Sequence, residues 1–177
     1  MNTRYKIILC DPPWKYQNWT DTAHGAAIAH YPTMSLSELK QIPIHQWTDK
    51  NCILFLWSTW PKLDEAFSLL RKWDFNYITG IPWVKITPSS GEIYRGIGFW
   101  FQSCSELLLI SSQGKINEIR FQKIEPQIGL LCGSERQFYA PRTRHSEKPI
   151  DIYDYIEMQF NGPYLELFAR KLREGWD

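Results

Sequence analysis

The sequence predicts an α/β domain built on a mostly parallel central sheet flanked by helices. Short apolar runs recur along the chain, stretches with helical periodicity separate them, and most of the runs are apolar throughout. Continuous apolar runs are expected of strands buried on both faces, and their alternation with helices is the signature of α/β architecture. At 177 residues, 44% hydrophobic and 22% charged, the chain fits one domain, residues 1–177, with a core of useful size, and wholesale disorder is excluded.

The elements follow in order. Tyr5 to Cys10 is apolar and stops at Asp11-Pro12-Pro13, because consecutive prolines cannot continue a ladder. Lys15 to Thr33 has no clean period and reads as a long loop, a length often tied to function. Ser35-Leu36-Ser37-Glu38 has capping-box spacing and opens a short helix towards Gln41. Cys52 to Trp57 is a fully apolar strand. Pro61 starts a helix with Leu63, Ala66, Phe67, Leu70 and Trp73 on one stripe. Tyr77 to Lys85 is the next strand, a loop from Thr87 to Gly98 follows, and Glu106 to Ile110 resumes the sheet. A short strand is expected at Ile128 to Cys132. Pro149 starts a second helix with Ile152, Tyr153, Ile156 and Phe160 inward. Asn161-Gly162-Pro163 ends it, and Tyr164 to Ala169 is the last strand.

Composition narrows the function classes. A net charge of +1 gives no global field for coating nucleic acid. A late basic cluster (Arg136, Arg142, Arg144, His145, Lys148, then Arg170, Lys171, Arg173) is either a solvated face or a local binding cleft. Cys10, Cys52, Cys104 and Cys132 are far apart, so neither a zinc pattern nor a disulfide framework fits, and buried thiols are expected. No secretory signal, lipidation motif or membrane-length apolar run is legible, and the expected location is cytoplasmic. The nine Trp, nine Tyr and nine Phe serve a core first and stacking surfaces second.

One segment carries chemistry. In an α/β sheet, ligands bind at the carboxyl ends of strands, which is where Asp11-Pro12-Pro13-Trp14 falls. Asp11 and a Pro12 carbonyl stiffened by Pro13 form a rigid acceptor pair. They suit the two hydrogens of an aromatic amine such as that of adenine, whose lone pair is delocalised into its ring. Trp14 offers a face on which a flipped base can stack. The plain structural alternative is a proline-rich turn with an Asx cap and a core Trp.

With these residues in order, the sequence resembles the MT-A type adenine-N6 methyltransferases, from about Arg4 to Asp177. Asp11-Pro12-Pro13-Trp14 is similar to the family's catalytic motif. Tyr31-Pro32-Thr33-Met34-Ser35 resembles its Tyr-x-Thr-Met-Ser gate segment. Phe55-Leu56-Trp57 and Trp83-Val84-Lys85 match further segments, Ser146-Glu147-Lys148-Pro149 resembles its Ser-x-Lys-Pro motif, and Leu165-Glu166-Leu167-Phe168-Ala169-Arg170 resembles its cofactor strand. The resemblance implies a Rossmann-like class I methyltransferase fold with S-adenosyl-L-methionine as cofactor and no metal. It implies catalysis at Asp11, Pro12, Pro13 and Trp14. It implies a cofactor site of Cys10, Asp11, Tyr31, Thr33, Lys148, Glu166, Phe168 and Arg170, with Lys148 on the cofactor's carboxylate. It implies a substrate site of Trp14, Tyr31, Trp57, Lys85 and Glu106. Taken singly, each has a plainer reading: Lys148 as a solvated charge, Glu106 as an edge residue, Phe168 as core, Arg170 as any ion-pair partner, Tyr31 as a loop anchor.

The resemblance departs at the end of the given sequence. The family pattern goes on past the point matched by Gly175-Trp176-Asp177 to a Trp-x-x-x-Gly-Asn-like stretch whose Asn meets the cofactor ribose. The expectation is that this contact is missing unless another residue replaces it. The substrate implied is nucleic acid, with DNA expected ahead of RNA. A non-catalytic scaffold subunit is the alternative from a different class, and a homodimer or partner subunit fits the family.

Overall fold

The computed structural model describes residues 3–16, 32–96, 101–119, 137–142 and 147–177. Its strands are β1 (Tyr5–Cys10), β2 (Thr48–Ser58), β3 (Asn76–Ile86), β4 (Ser105–Gln113), β5 (Phe138–Pro141) and β6 (Tyr164–Leu167). Its helices are α1 (Leu36–Lys40), α2 (Leu63–Lys72) and α3 (Asp151–Gln159). The strands form one six-stranded sheet in the order β5-β3-β4-β2-β1-β6.

Side-chain alternation along the strands divides the core into two layers. Ile8, Cys10, Leu54 and Leu56 point to one face and pack with Leu39 of α1 and Ala66, Leu69 and Leu70 of α2. Ile7, Leu9, Ile53, Phe55 and Trp57 point to the other and pack with Ile152 and Ile156 of α3 and the Phe160 beyond it. The central strands are apolar at successive positions because both faces are covered.

β1 pairs in parallel with β2 and β6, and β3 with β5. β4 runs antiparallel to both β2 and β3. The sheet is therefore mixed, and β4 is the exception to the expected parallel pattern among the described strands. One edge of the sheet accordingly carries the carboxyl ends of β1, β2, β3, β5 and β6 together with the amino end of β4.

Local chemistry explains most boundaries. α1 has its capping box: Ser35 Oγ accepts from the Glu38 amide at 3.3 Å, and Glu38 Oε2 accepts from the Ser35 amide at 2.7 Å. Before α2 a 3₁₀ turn, Trp60–Lys62, takes up Pro61, so the α-helix proper begins at Leu63 rather than at the proline. Leu69, which the expected stripe omitted, is fully buried, whereas Phe67 is only partly so. β6 ends two residues short of the expected Ala169, because Phe168 turns into the left-handed region at φ 67°. The chain then returns, and Gly175-Trp176-Asp177 runs beside β6: Glu166 donates to the Asp177 carbonyl at 2.9 Å, and Trp176 stacks on Tyr164 at 4.9 Å. β5 was not anticipated, and the strand expected at Ile128 to Cys132 lies outside the described residues, as do Cys132, Arg136, Arg144 and His145. Cys10 and Cys52 are buried and Cys104 is half-buried, all as free thiols. No helix among the described residues is long and apolar enough to cross a membrane.

Candidate active site

Strand register brings the site together. Leu9 of β1 pairs with Phe55 of β2 and with Glu166 of β6, so Glu166 shares the α3 face with both. One pleat further on, Asp11 follows Leu9 and Trp57 follows Phe55. Across the sheet, Trp57 pairs with Leu108, and Glu106 pairs with Trp83. With a side-chain period of two, Asp11, Trp57, Lys85, Glu106 and Glu166 all project from the same face at one edge. Glu106 reaches that edge only because β4 runs antiparallel and begins where its neighbours end.

Three of these charges, Asp11, Glu106 and Lys85, form a continuous chain with Lys148. Lys148, just before α3, places Nζ 2.8 Å from Asp11 Oδ1, 2.9 Å from Asp11 Oδ2 and 3.3 Å from Glu106 Oε2. Lys85 Nζ closes on Glu106 Oε1 at 2.6 Å. The Lys148 ammonium also lies 5.7 Å from the centre of the Trp57 ring, within cation–π range. An ammonium has three donors, and here they face two carboxylates.

The charges tune one another. Burial is the largest influence on Asp11 and favours its neutral form, with Glu106 adding to it; Lys148 and Arg170 oppose, and the carboxyl ends up above its ordinary range. Burial acts the same way on Glu106, but Lys148 and Lys85 together outweigh it and hold that carboxyl low. Burial disfavours charge on Lys148, yet Asp11 and Glu106 prevail and its ammonium is held more firmly than usual.

Beside this chain opens a cavity of about 450 Å³, lined by Leu9, Asp11, Trp57, Lys148, Glu166 and Phe168, with Glu147, Ile150, Tyr153 and the turn from Arg170 to Arg173 around it. Its size is that of a small-molecule site. Tyr153 donates to Glu166 Oε1 at 2.8 Å. Burial, with the Asp11 charge adding to it, pushes the Glu166 carboxyl up against the pull of Tyr153 and Arg173. Phe168, a non-glycine residue at positive φ on the cavity wall, is the kind of locally costly backbone that clusters at ligand sites. The lining combines cations, carboxylates and apolar side chains. That donor set fits an amino-acid-bearing nucleoside such as S-adenosyl-L-methionine: cations for its carboxylate, acids for its ammonium and ribose hydroxyls, apolar walls for its base.

The other expected site residues fall in different places. Trp14 is 4% exposed, packs in the α1/α2 core layer and donates from Nε1 to the Trp57 carbonyl at 3.2 Å. Its ring therefore offers no open face for a base. Cys10 points into that same layer, where burial pushes its thiol well up. Pro12 keeps its carbonyl on the Trp14 amide at 2.8 Å, which fixes its direction and leaves one lone pair. Pro13 accepts from Met34 at 2.8 Å, and Met34 accepts from Lys15 at 3.2 Å, so the segment with Thr33 is tied to the Asp-Pro-Pro-Trp turn but does not line the cavity. Lys85 and Glu106 stand behind Lys148 rather than on the cavity wall. Tyr31 and Ser146 lie outside the described residues. Sequence reasoning missed Tyr153 as a wall residue, because helical periodicity assigns it simply to the inward face of α3. Among the described residues, no group of three or more His, Cys, Asp or Glu is arranged to hold a metal ion.

Comparison with known proteins adds independent observations. The Type II methyltransferase M.MunI of Mycoplasma sp is 30% identical over 98% of this chain and 76% of its own length. The human N(6)-adenine-specific methyltransferase METTL4 is 28% identical over 97% of this chain, which spans 36% of that protein. A Drosophila melanogaster N(6)-adenosine-methyltransferase MT-A70-like protein is 25% identical over 94% of this chain, which spans 24% of that protein. With the MT-A70 family model matching residues 5–177 on a Rossmann-like sheet, the chain belongs to the MT-A70 family of methyltransferases.

Proposed function

We propose that this chain transfers a methyl group from S-adenosyl-L-methionine to the 6-amino group of adenine in nucleic acid, and that its substrate is DNA. The observation that carries the reading is Asp11, a partly buried carboxylate beside a rigid proline carbonyl at the mouth of a nucleoside-sized cavity. DNA is favoured over RNA by likeness to the Type II methyltransferase, of which this chain spans 76%.

The cofactor supplies an electrophilic methyl group. The rest of the chemistry falls to this chain. Lys148 and Arg170 hold the cofactor's carboxylate, and Glu166, supported by Tyr153, takes its polar groups, with Phe168 against its base. Asp11 and the free lone pair of the Pro12 carbonyl accept the two amine hydrogens of an adenine turned out of its stack, which localises the nitrogen lone pair. As the methyl group passes to the nitrogen, its bond to sulfur breaking with the electron pair left on sulfur, one proton must leave the nitrogen, and Asp11 receives it. Burial of Asp11 serves that step, because a carboxylate with a raised pKa is the better proton acceptor.

The test is direct. Purified protein is incubated with labelled S-adenosyl-L-methionine and single- or double-stranded DNA or RNA, and modified nucleosides are identified by mass spectrometry. N6-methyladenine in DNA is expected, and Asp11→Asn should lower turnover at least ~100-fold, the usual scale of a lost acid–base group. Product in RNA alone would transfer the reading to RNA. No product with any substrate, or full activity in Asp11→Asn, would overturn it.

A further inference from the structure

Burial of Trp14 means that its ring does not supply a stacking surface for a nucleic-acid substrate. Another tryptophan stands on the edge that carries Asp11. Among the described residues, Trp14, Trp57, Trp73, Trp83 and Trp176 are buried and Trp47 is partly buried in the core, whereas Trp60 is 52% exposed. It is not loosely held. Its Nε1–H donates to Ser105 Oγ at 3.0 Å, at the amino end of β4 and next to Glu106. Pro61 stiffens the 3₁₀ turn that carries it. The turn is tied to the loop after Asp11 as well, through a 2.8 Å hydrogen bond between Thr59 Oγ1 and Tyr16 Oη, and by Lys62 over the Tyr16 ring at 5.4 Å.

The surroundings suit a polyanion. Lys15 follows the Asp-Pro-Pro-Trp turn, Arg95 lies between β3 and β4, and Arg142 follows β5, so all three emerge from the same edge of the sheet. Arg142 is braced on the Tyr94 ring at 4.6 Å. Cations interleaved with a fixed aromatic face are the ordinary means of holding a single strand: the charges track phosphates and the ring takes a base.

We propose that Trp60 is a base-stacking platform that takes a nucleobase of the substrate strand neighbouring the adenine under modification. The proposal rests on the nucleic-acid reading of the site. An exposed indole fixed by one hydrogen bond gives up little freedom when it stacks, so its contribution goes to affinity for the strand rather than to the chemical step.

The experiment uses the full chain and single-stranded oligonucleotides with one adenine flanked by the fluorescent base 2-aminopurine. Trp60→Ala should weaken oligonucleotide binding, and raise its KM, about tenfold. It should also abolish the stacking-dependent quenching of 2-aminopurine, with the dissociation constant for S-adenosyl-L-methionine unchanged. Trp60→Phe, which keeps a ring, should restore most of the affinity and the quenching. Ser105→Ala, which frees the indole, should give an intermediate loss. Unaltered oligonucleotide affinity and quenching in Trp60→Ala would overturn the proposal, as would equal losses in the Ala and Phe variants. Failure of the methylation reading would be seen separately, as absence of product in the unaltered protein, while the binding and quenching measurements still judge Trp60.

Discussion

Replacing Lys148 by Met in the cofactor-free protein should destabilise it by about 3 kcal/mol, and by less in acid. The Met side chain keeps much of the buried stem and removes the charge. Lys148 contacts both Asp11 oxygens and one Glu106 oxygen within 3.3 Å, and the three side chains are 13%, 19% and 12% exposed. Removing one member of a buried ion pair costs about 3–5 kcal/mol, because the partner is left charged and unpaired. Residual solvent access places this case at the low end. For a chain of this length, about 3 kcal/mol corresponds to a fall in Tm of roughly 6–12 °C.

The pH dependence follows from sign. A carboxyl whose folded pKa lies above its unfolded value gains stability as pH falls through the folded pKa. Asp11 is already raised by burial, and loss of Lys148 raises it further. Glu106 is held low in the parent protein, so the parent loses stability as pH falls through that low value, while the variant loses part of this hold. The Asp11 effect shrinks the deficit already above the ordinary carboxylate range, and the Glu106 effect adds to this only at lower pH. Urea denaturation at about pH 8 and about pH 5 measures it. A deficit under about 1 kcal/mol, or one equal at both pH values, would refute the electrostatic account of this chain of charges.

Two further outcomes concern the scaffold. Gly114→Ala should cost about 1–3 kcal/mol in thermal melts, since Gly114 sits at φ 73° and an added Cβ would overlap the Lys50 carbonyl and meet Asn51 Oδ1 at 2.5 Å. A Tm equal to that of the parent would show that the turn relaxes. Ser35→Ala should cost about 1 kcal/mol through loss of the cap on α1, read by chemical denaturation, and an unmoved midpoint would mean the cap contributes nothing.

What could be read from the sequence was what local chemistry decides. Pro12-Pro13 ends β1 where expected, Ser35 and Glu38 cap α1, and the apolar stretch of β2 lies in the sheet. Asp11 was legible as the first polar residue after a buried strand. β5 was not, because Phe138–Pro141 is four residues long, alternates buried with exposed and ends in proline. The pairing of Lys148 with Asp11 spans 137 positions and depends on strand order, which periodicity does not encode. Glu106 reaches the site through the reversed direction of β4, to which an apolar run such as Leu107 to Ile110 gives no clue. The four residues of the Asp-Pro-Pro-Trp turn reveal its chemistry but not which way the Trp14 ring falls.

The pairing of β1 with β6 has a consequence for biosynthesis. Ile7, Ile8, Leu9 and Cys10 form the partner edge for Tyr164 to Leu167, which are synthesised close to the end of the described chain. While the polypeptide emerges, β2 can cover one side of β1 early, but the other side keeps its backbone groups open and its apolar edge available to strangers. The strand that leads into Asp11 is thus a hazard for misassociation in the nascent chain. The cavity, which needs Glu166 and Phe168 beside Leu9, forms only when β6 docks. Ligand binding should consequently appear late in refolding, in step with the slowest long-range contact rather than with the first collapse.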